Sequence, residues 1–299
     1  MKRTITAFLF IIAVICAKSQ NTAISIMEFN IDDIPCRWYP ETNLLYLCGF
    51  DVDEDGLMYF AGGDPLQIAC YNGSNQVYKR TILNAKPQQD LFHIKGDSIF
   101  IVDDTTSKII RLHKNGKGSI YESKIDMDRI EGGWFDDNGI TLYNSIPTIT
   151  LHGDTILWLK SVISYDYSLK TTNSTDASLS TLHILRNNIP LNISDKSNYF
   201  DKGRFNDKRV YWHGGFWPGG EKGELLLMDI DGNIVDTFSH HDNNSYTYPV
   251  MGKYDGRELS TISQEFNVRR GDYLYAIGYN GTEKKVFVYK MKLSNIFPN

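Results

Sequence analysis

Residues 91–125 read LFHIKGDSIFIVDDTTSKIIRLHKNGKGSIYESKI, and this stretch carries the clearest structural pattern of the sequence. It holds four short runs rich in Ile, Val, Phe and Tyr, namely FHIKG, SIFIVDD, KIIRLHK and SIYESKI, each too short for a helix. Turn residues separate them, at Gly96-Asp97, at residues 103–107 and at residues 115–118. Four strands joined in sequence predict an antiparallel meander, which is the unit of a β-propeller blade.

The meander pattern recurs along the chain. An earlier unit has strands LYLCGFDVD, LMYFAGG, QIACYN and QVYKRTI, and a later one begins at Gly132. An inner-strand Phe recurs at Phe50, Phe92 and Phe135, at spacings of 42 and 43 residues. A fixed period in this range, with four strands per unit, is typical of propeller repeats. No long helical periodicity follows the N-terminus, so the chain is predicted to be all-β.

The pattern weakens after the unit that begins at Gly132, whose strands we assign to GGWFDDN, ITLYNS, TITLHG and TILWLKSVIS. Residues 165–200 are rich in Ser, Thr and Asn, and we interpret them as an irregular fourth blade with a flexible insertion. Strands recover at Gly203 with a fifth unit, and a last unit spans about residues 249–293. Its clear strands are EFNVRR, YLYAIGY and VFVYKMKL.

The last unit lacks a fourth strand, which the orphan strand Ile24–Phe29 can supply. Pairing the N-terminal strand with the C-terminal one near residues 286–293 leaves no open edge between the chain ends. The prediction is a propeller of six blades, each of four antiparallel strands, closed by the N-terminal strand. Five blades is the alternative.

At the level of its repeats, the chain resembles the six-bladed propellers of the NHL and TolB-like kind. The resemblance rests on FDVDEDGLMYF, KGDSIFIVDDTTSKIIRL, LLLMDIDGNIV and RGDYLYAIG, and it covers most of residues 46–293. The Trp-Asp and Gly-His marks of the WD40 type are missing. The resemblance implies one propeller domain over residues 20–299. Many such propellers bind ligands rather than catalyse, and a fold alone does not assign a function.

Residues 1–19 are typical of a secretory signal peptide, with a basic start, an apolar run at residues 7–17 and small residues before the expected cleavage site. A lipoprotein signal ending at Cys16 is the alternative, but Ile15 stands where a small residue is expected. We therefore predict that the mature chain is secreted or periplasmic, or otherwise extracellular.

The charge of the mature chain limits the classes of partner. Loss of residues 1–19 removes three of the 31 basic residues and none of the 36 acidic ones, so the net charge changes from −5 to −8. An acidic chain without a basic tract disfavours nucleic acids and anionic membranes as partners. We expect a monomer that binds a glycan or a protein and does not insert into the membrane.

Three cysteines remain in the mature chain: Cys36, Cys48 and Cys70. An oxidising compartment permits one disulfide and leaves one thiol over. Cys48 and Cys70 lie in apolar strand contexts, LYLCGF and QIACYN, which favours buried free thiols instead. No Cys/His spacing typical of a metal site is present.

The connections between the predicted strands are unequal in length. The first-to-second and third-to-fourth connections of each blade are tight, as at Asp55-Gly56 and Asn115-Gly116, and they share one face of a propeller, here called the tight-turn face. The second-to-third and blade-to-blade connections are longer, polar and aromatic, and they share the opposite, long-loop face. Since binding groups usually lie on long loops held by a rigid scaffold, we predict the ligand site on the long-loop face, around the central channel.

The segment 212–220, WHGGFWPGG, is the strongest candidate on that face. A buried strand would not use so much glycine, and exposed Trp rings are good platforms for sugars and cations. The alternative is a hairpin whose aromatic rings pack on a neighbouring blade. Trp38, in the entry loop, either joins the same rim or plugs the ring closure. The predicted ligand-binding residues are Arg37, Trp38, Asp64, Asp103, Asp104, Arg129, Glu131, Trp134, Trp212, His213 and Trp217.

No stretch spells out a catalytic motif, and GxSxG is absent. DVDEDG, residues 51–56, resembles the start of a calcium loop. Gly62 occupies the position where an EF-hand needs Glu, and the flanks are strands. We therefore predict a turn there and no cofactor, with calcium as the alternative. His240-His241-Asp242 could bind a metal, but adjacent histidines in a strand point to opposite faces.

The predicted function is a binding or interaction module for carbohydrate or protein. The alternative is an enzyme that uses the channel as a glycan hydrolase, a lyase or a calcium-dependent lactonase. For a lactonase the inner strands offer Asp51, Asp136, Asn206 and Asn267. For glycoside chemistry, carboxylates are numerous but their separation is invisible in a sequence.

Overall fold

In the residues that the structure describes, the recurring meander forms five antiparallel blades, and the chain is a β-propeller. The computed structural model describes residues 24–87, 91–127, 129–149, 156–178, 181–182, 186–187, 189, 199–213, 224–238, 252–254, 257–261 and 268–297. The hydrogen-bonded ladders join strands within each blade, and no described sheet closes on itself. The predicted signal peptide, residues 1–19, lies outside the described residues. No helix in the described part is long and apolar enough to cross a bilayer.

The chain enters through a strand and a hairpin that precede the first blade. Strand β1 (Ile24–Asn30) leads through one 3₁₀ turn (Ile31–Asp33) to the hairpin of β2 (Arg37–Tyr39) and β3 (Leu44–Tyr46). The hairpin pairs only with itself within the described ranges.

The first blade shows why these residues form strands of such different composition. Its strands are β4 (Gly49–Val52), β5 (Met58–Gly62), β6 (Leu66–Asn72) and β7 (Asn75–Ile82). The three inner strands are almost wholly buried because neighbouring blades cover both of their faces. The outer strand β7 is mostly exposed and correspondingly polar. Apolar residues are therefore needed in the three inner strands of the blade, which neighbouring blades cover, and not in the outer strand.

The second blade is the stretch on which the sequence prediction was built. Its strands are β8 (Phe92–Lys95), β9 (Ser98–Asp103), β10 (Lys108–His113) and β11 (Tyr121–Lys124), in the order β8-β9-β10-β11. All four predicted runs are confirmed as strands.

The third blade corrects both the strand assignment and the blade count. Its strands are β12 (Gly132–Phe135), β13 (Gly139–Ile149), β14 (Ile156–Asp166) and β15 (Thr171–Ala177). ITLYNS and the start of the next predicted strand form the single long strand β13. The polar segment assigned to a flexible insertion in a fourth blade is the outer strand β15. Its residues are exposed, so strand formation there needed no apolar side chains.

The prediction of six blades is therefore wrong, and the alternative of five is correct. The fourth blade consists of β16 (Tyr199–Phe205), β17 (Lys208–His213), β18 (Glu224–Met228) and β19 (Ile234–Phe238). It corresponds to the unit that recovers at Gly203 in the sequence. The residues counted as an extra blade between 165 and 200 belong in part to the third blade.

The fifth blade is completed by the N-terminal strand, as predicted. β1 pairs antiparallel with the last strand, with Ile24 opposite Met291 and Asn30 opposite Lys285. The remaining elements are β20 (Gly252–Tyr254), β21 (Arg257–Thr261), β22 (Val268–Arg270), β23 (Tyr273–Asn280), β24 (Lys285–Lys292) and a terminal helical turn (Leu293–Ile296). Two of these strands, β21 and β22, pair with the same side of β23, and β20 extends the sheet beyond β21.

The apolar core lies between consecutive blades rather than at one centre. Between the fifth and first blades, Phe29 of β1 packs edge-to-face on Phe60 and Tyr71, with ring centroids 5.5 and 5.2 Å away. Burying one such ring contributes about 1.5–3 kcal/mol. Strand β1, which pairs with the C-terminal strand, thus contributes to the core as well as to the hydrogen bonds of the sheet.

Two of the three cysteines in the described residues are core residues. Cys48 and Cys70 are buried and form no disulfide with a described residue, as predicted. Cys36 is half-buried and likewise forms no disulfide there. Burial raises the pKa of the Cys36 and Cys70 thiols to about 11 in each case. Thiols of this kind are unreactive at neutral pH.

Candidate functional site

A buried carboxylate on the inner strand of the first blade collects the densest set of polar contacts near the channel. Asp51 is 2% exposed. It accepts hydrogen bonds from the backbone N–H of Val52 at 2.7 Å and of Ile94 at 2.8 Å. Nη2 of Arg270 lies 2.8 and 2.9 Å from its two oxygens, and Nδ1 of His93 lies 2.9 Å from Oδ2. Both oxygens of Asp51 are thus occupied by N–H donors.

Three blades meet at this carboxylate. Asp51 lies on β4 of the first blade, His93 on β8 of the second and Arg270 on β22 of the fifth, and these inner strands are neighbours around the ring. Arg270 also donates from Nε to the carbonyl of Val52. Hydrogen bonds between ionised groups are roughly twice as strong as neutral ones. The contacts therefore fix the relative positions of three inner strands.

The two ring nitrogens of His93 have different surroundings: Nδ1 contacts Asp51, and Nε2 contacts no described hydrogen-bond partner. Its ring stacks on Phe135, with centroids 5.1 Å apart and an interplanar angle of 26°, and lies 6.0 Å from the ring of Tyr167. In a neutral imidazole that donates from Nδ1, Nε2 carries the lone pair. Nε2 makes no hydrogen bond to any residue that the structure describes, and the side chain is 19% exposed.

The rings around His93 locate the cluster along the channel. Tyr167 lies in the turn between β14 and β15, and its hydroxyl donates to the carbonyl of Asp136, 2.6 Å away, in the turn between β12 and β13. Lys95 forms an ion pair with Asp137 at 3.2 Å and lies 5.5 Å from the Tyr167 ring centroid. Both turns belong to the tight-turn face. We name the group of Asp51, His93, Phe135, Tyr167 and Arg270 the tight-turn cluster.

The predicted site residues that have partners are distributed around the ring. Arg37 pairs with Asp64 at 3.6 Å, on the hairpin and the long-loop side of the first blade. Glu131 pairs with Lys160 of the third blade. His213 lies 3.4 Å from Glu224 on the fourth blade and its ring is 4.5 Å from that of Tyr199. Among the described residues, Arg37 and Asp64 are thus two predicted site residues that form an ion pair with each other. Glu131 and His213 instead pair with residues that were not predicted, on the third and the fourth blade.

Trp212 and Trp38 are not exposed rings. Trp212 is 1% exposed and packs in the core between the fourth and fifth blades, because alternate residues of β17 face opposite neighbours and Trp212 faces the fifth blade. The interpretation of Trp212 as an exposed binding platform is therefore wrong, and its packing fits the alternative of an aromatic ring packed on a neighbouring blade. Trp38 is half-buried, packs edge-on against Tyr279 at 6.2 Å and covers Gly281, which fits the alternative of a plug at the ring closure.

The remaining predicted residues differ in environment. Asp103 is 0% exposed and caps a turn by accepting from the N–H groups of Thr105 and Thr106, both at 3.2 Å, so it is a structural residue. Asp104 and Trp134 are half-buried, and Arg129 is exposed. Trp217 lies outside the described residues. Ligand binding by this set stays a prediction.

Sequence reasoning missed His93 and Arg270 as site residues, and it named Asp51 only for the lactonase alternative and as the start of a possible calcium loop. The sequence carried a signal for two of these residues, Asp51 and His93. Each recurring inner Phe is followed by a polar residue, and these polar residues are Asp51, His93 and Asp136. Those positions lie on the inner strands or just after them. Arg270 could not be found in this way, because its pairing with Asp51 spans 219 residues.

The start of the presumed calcium loop is a turn, as predicted. Asp53 accepts hydrogen bonds from the N–H groups of Asp55 at 3.0 Å and Leu57 at 2.9 Å, and Gly56 has φ +80°. In the described part of the chain, no group of three or more His, Cys, Asp or Glu side chains is arranged to hold a metal ion. His240 and His241 lie outside the described residues.

Comparison with known proteins gives a likeness of fold only. No family model matches the chain, and no curated protein matches it. It is similar to virginiamycin B lyase from Staphylococcus aureus, with 12% identity over 90% of this chain and 99% of that one and a TM-score of 0.44. A Bacteroides fragilis protein described as exported shares 10% identity over 91% and 96% of the two chains, with a TM-score of 0.40. TolB from Acinetobacter baumannii shares 13% over 89% and 63%, with a TM-score of 0.29.

Proposed function

We propose that this propeller is a secreted binding module whose ligand, a carbohydrate, contacts the tight-turn cluster in the central channel. The observation that carries the proposal is the His93 imidazole, which Asp51 and Phe135 hold in place while its Nε2 has no partner among the described residues. A polar group fixed in this way offers a hydrogen-bond acceptor without losing side-chain freedom on binding.

The surroundings of His93 suit a sugar. A sugar presents hydroxyl groups, which can donate to Nε2, and C–H faces, which pack on aromatic rings such as those of Phe135 and Tyr167. Ligand sites combine apolar walls with a few placed polar groups. The site that we propose thus lies at the opposite end of the channel from the long-loop face predicted from the sequence.

Titration of a bound glycan tests this proposal. The chain beginning at Gln20 is screened on a glycan array, and the best ligand is titrated by calorimetry against wild type, His93→Ala and His113→Ala. His113 is exposed on β10 and serves as the matched control. We expect His93→Ala to weaken binding about tenfold, the effect of one lost hydrogen bond of about 1.4 kcal/mol. Equal affinity of His93→Ala and wild type would refute the proposal.

A second candidate function is an enzyme that acts on the same ligand. The specific observation is the Asp51–His93 pair, in which a carboxylate orients an imidazole through Nδ1 and leaves Nε2 able to take up a proton. This arrangement favours a lyase, which needs a general base, over a lactonase that needs Asp51 as a calcium ligand. Both Asp51 oxygens already accept from N–H donors and are poorly placed to coordinate a cation.

Turnover separates the two candidates. The purified chain is incubated with the array ligand, and the products are followed by mass spectrometry. Turnover by wild type that His93→Gln abolishes, with binding of the ligand retained, would favour the enzyme. An unchanged ligand after long incubation would favour the binding module.

A further inference from the structure

Two adjacent arginines on β22 have opposite environments. Arg270 faces the first blade and is paired with Asp51. Arg269 faces the fourth blade, where a Cβ added at Gly203 of β16 would lie 3.2 Å from its Nη1 and 3.7 Å from its Cδ. The Arg269 side chain thus lies across the backbone of a neighbouring inner strand, at the seam between the fourth and fifth blades.

Among the described residues, Arg269 has no acceptor in this seam. Its guanidinium forms neither an ion pair nor a hydrogen bond with any part of the chain that the structure describes, and its Nε is buried without a partner. Burial lowers the pKa of Arg269, although Asp272 and Asp201 act in the opposite direction. An arginine nevertheless keeps its charge in a protein. A half-buried cation with an unpartnered donor is costly, and such groups call for a partner from outside the fold.

The two nearby carboxylates are engaged elsewhere. Asp201 pairs with Arg209 and accepts from the N–H of Gly203 at 2.7 Å. Asp272 accepts from the N–H and hydroxyl of Ser294, at 3.1 and 2.7 Å. They lower the potential around Arg269 without forming a direct contact with its guanidinium. The N–H donors of the Arg269 guanidinium therefore remain available to a ligand.

Gly203 leaves room beside the guanidinium. It has φ +84°, a conformation that side-chain-bearing residues rarely adopt, and the register of β16 against β17 shifts between Asp201 and Arg204. The irregular backbone and the missing Cβ bring the Arg269 side chain close to β16. A planar anion is the group that matches a guanidinium fork, through two parallel hydrogen bonds.

We propose that Arg269 binds a carboxylate of the ligand, so that the propeller prefers acidic sugars over neutral ones. This inference rests on the proposed function, because β16 and β22 line the same channel as the strands that carry Asp51 and His93. The overall charge of the protein is negative, so a preference for an acidic ligand would require a local cation such as this one.

Two probes test the proposed carboxylate site. Sodium glucuronate supplies the sugar with a carboxylate, and glucose is the neutral sugar. The chain beginning at Gln20 is titrated with each by calorimetry or ligand-observed NMR, as wild type, Arg269→Gln and Arg111→Gln. Arg111 lies on β10 over the ring of Tyr121, remote from the seam, and is the matched control. We expect wild type and the control to prefer glucuronate by about tenfold, and Arg269→Gln to lose that preference.

The outcomes distinguish this inference from the proposed function. Wild type that does not prefer glucuronate, or an unchanged preference in Arg269→Gln, overturns the carboxylate site even if His93→Ala weakens binding of both sugars. Loss of the preference in Arg269→Gln, with no effect of His93→Ala, supports the carboxylate site and contradicts the proposed function. If Arg269→Gln does not unfold cooperatively, Arg269→Lys takes its place, since it keeps the charge and removes the fork. It should lose most of the preference.

Discussion

The two ends of the propeller hold their polar side chains in different ways. At the tight-turn end, Asp51 is buried and both of its oxygens are bound by donors from three blades. At the long-loop end, the pair of Arg37 and Asp64 is 3.6 Å long, and the Asp64 side chain is 49% exposed. Several hydrogen bonds hold a buried charge in one position. An exposed ion pair, by contrast, contributes only about 0–1 kcal/mol to stability. Loop length suggested the long-loop face as the site, but the fixed geometry is at the other end.

The largest expected effect comes from removing the central carboxylate. Asp51→Ala leaves Arg270, His93 and two backbone N–H groups without their acceptor. Breaking a buried ion pair by removing one partner costs about 3–5 kcal/mol. We expect the free energy of unfolding to fall by about that amount in chemical denaturation. The matched change Asp64→Ala should cost less than about 1 kcal/mol, and equal losses in the two variants would remove the distinction between the ends.

A smaller effect is expected from changing the shape of the cation without its charge. Arg270→Lys keeps one positive charge but cannot donate to both Asp51 oxygens and to the Val52 carbonyl at once. We expect a loss of about 1.5–3 kcal/mol, the range for hydrogen bonds to charged groups. Arg37→Lys at the long-loop end is the control, with a loss below about 1 kcal/mol. A harmless Arg270→Lys would show that the fork does not matter.

The smallest effect is expected at the rim of the cluster. Tyr167→Phe removes the hydroxyl that donates to the Asp136 carbonyl and keeps the ring beside His93. We expect a loss of about 0.5–1.5 kcal/mol in unfolding free energy, the value of one neutral hydrogen bond. Tyr121→Phe, at an exposed ring on β11, should be neutral. A Tyr167→Phe variant as stable as wild type would place this turn outside the fixed region.

The fold was largely readable from the sequence where strands are buried. SIFIVDD is apolar because blades cover both of its faces, and it was correctly identified. FHIKG, whose Phe92 and Ile94 are buried, was identified as well. The outer strand β15 was not, since TTNSTDA is exposed and carries no apolar signal. The division of β13 into two predicted strands and the omission of β15 together changed the blade count from five to six.

The candidate site was less readable because its contacts join distant segments. The partner of Asp51 lies 219 residues away, and no local pattern specifies such a pairing. Trp212 shows the converse error. Its Gly-rich surroundings suggested exposure, but Trp212 is the second-last residue of β17, and the alternation of that strand turns its ring into the core.

Hydrogen exchange in the presence of the array ligand tests the central claim, that the ligand binds at the tight-turn end of the channel. Exchange is followed by mass spectrometry on peptides covering residues 92–95 and 166–170, which contain His93 and Tyr167, and residues 37–46 and 62–66, which contain Trp38 and Asp64. We expect slower exchange on binding in the first pair of peptides and no change in the second. Protection confined to residues 37–46 and 62–66 would contradict it and return the site to the long-loop face.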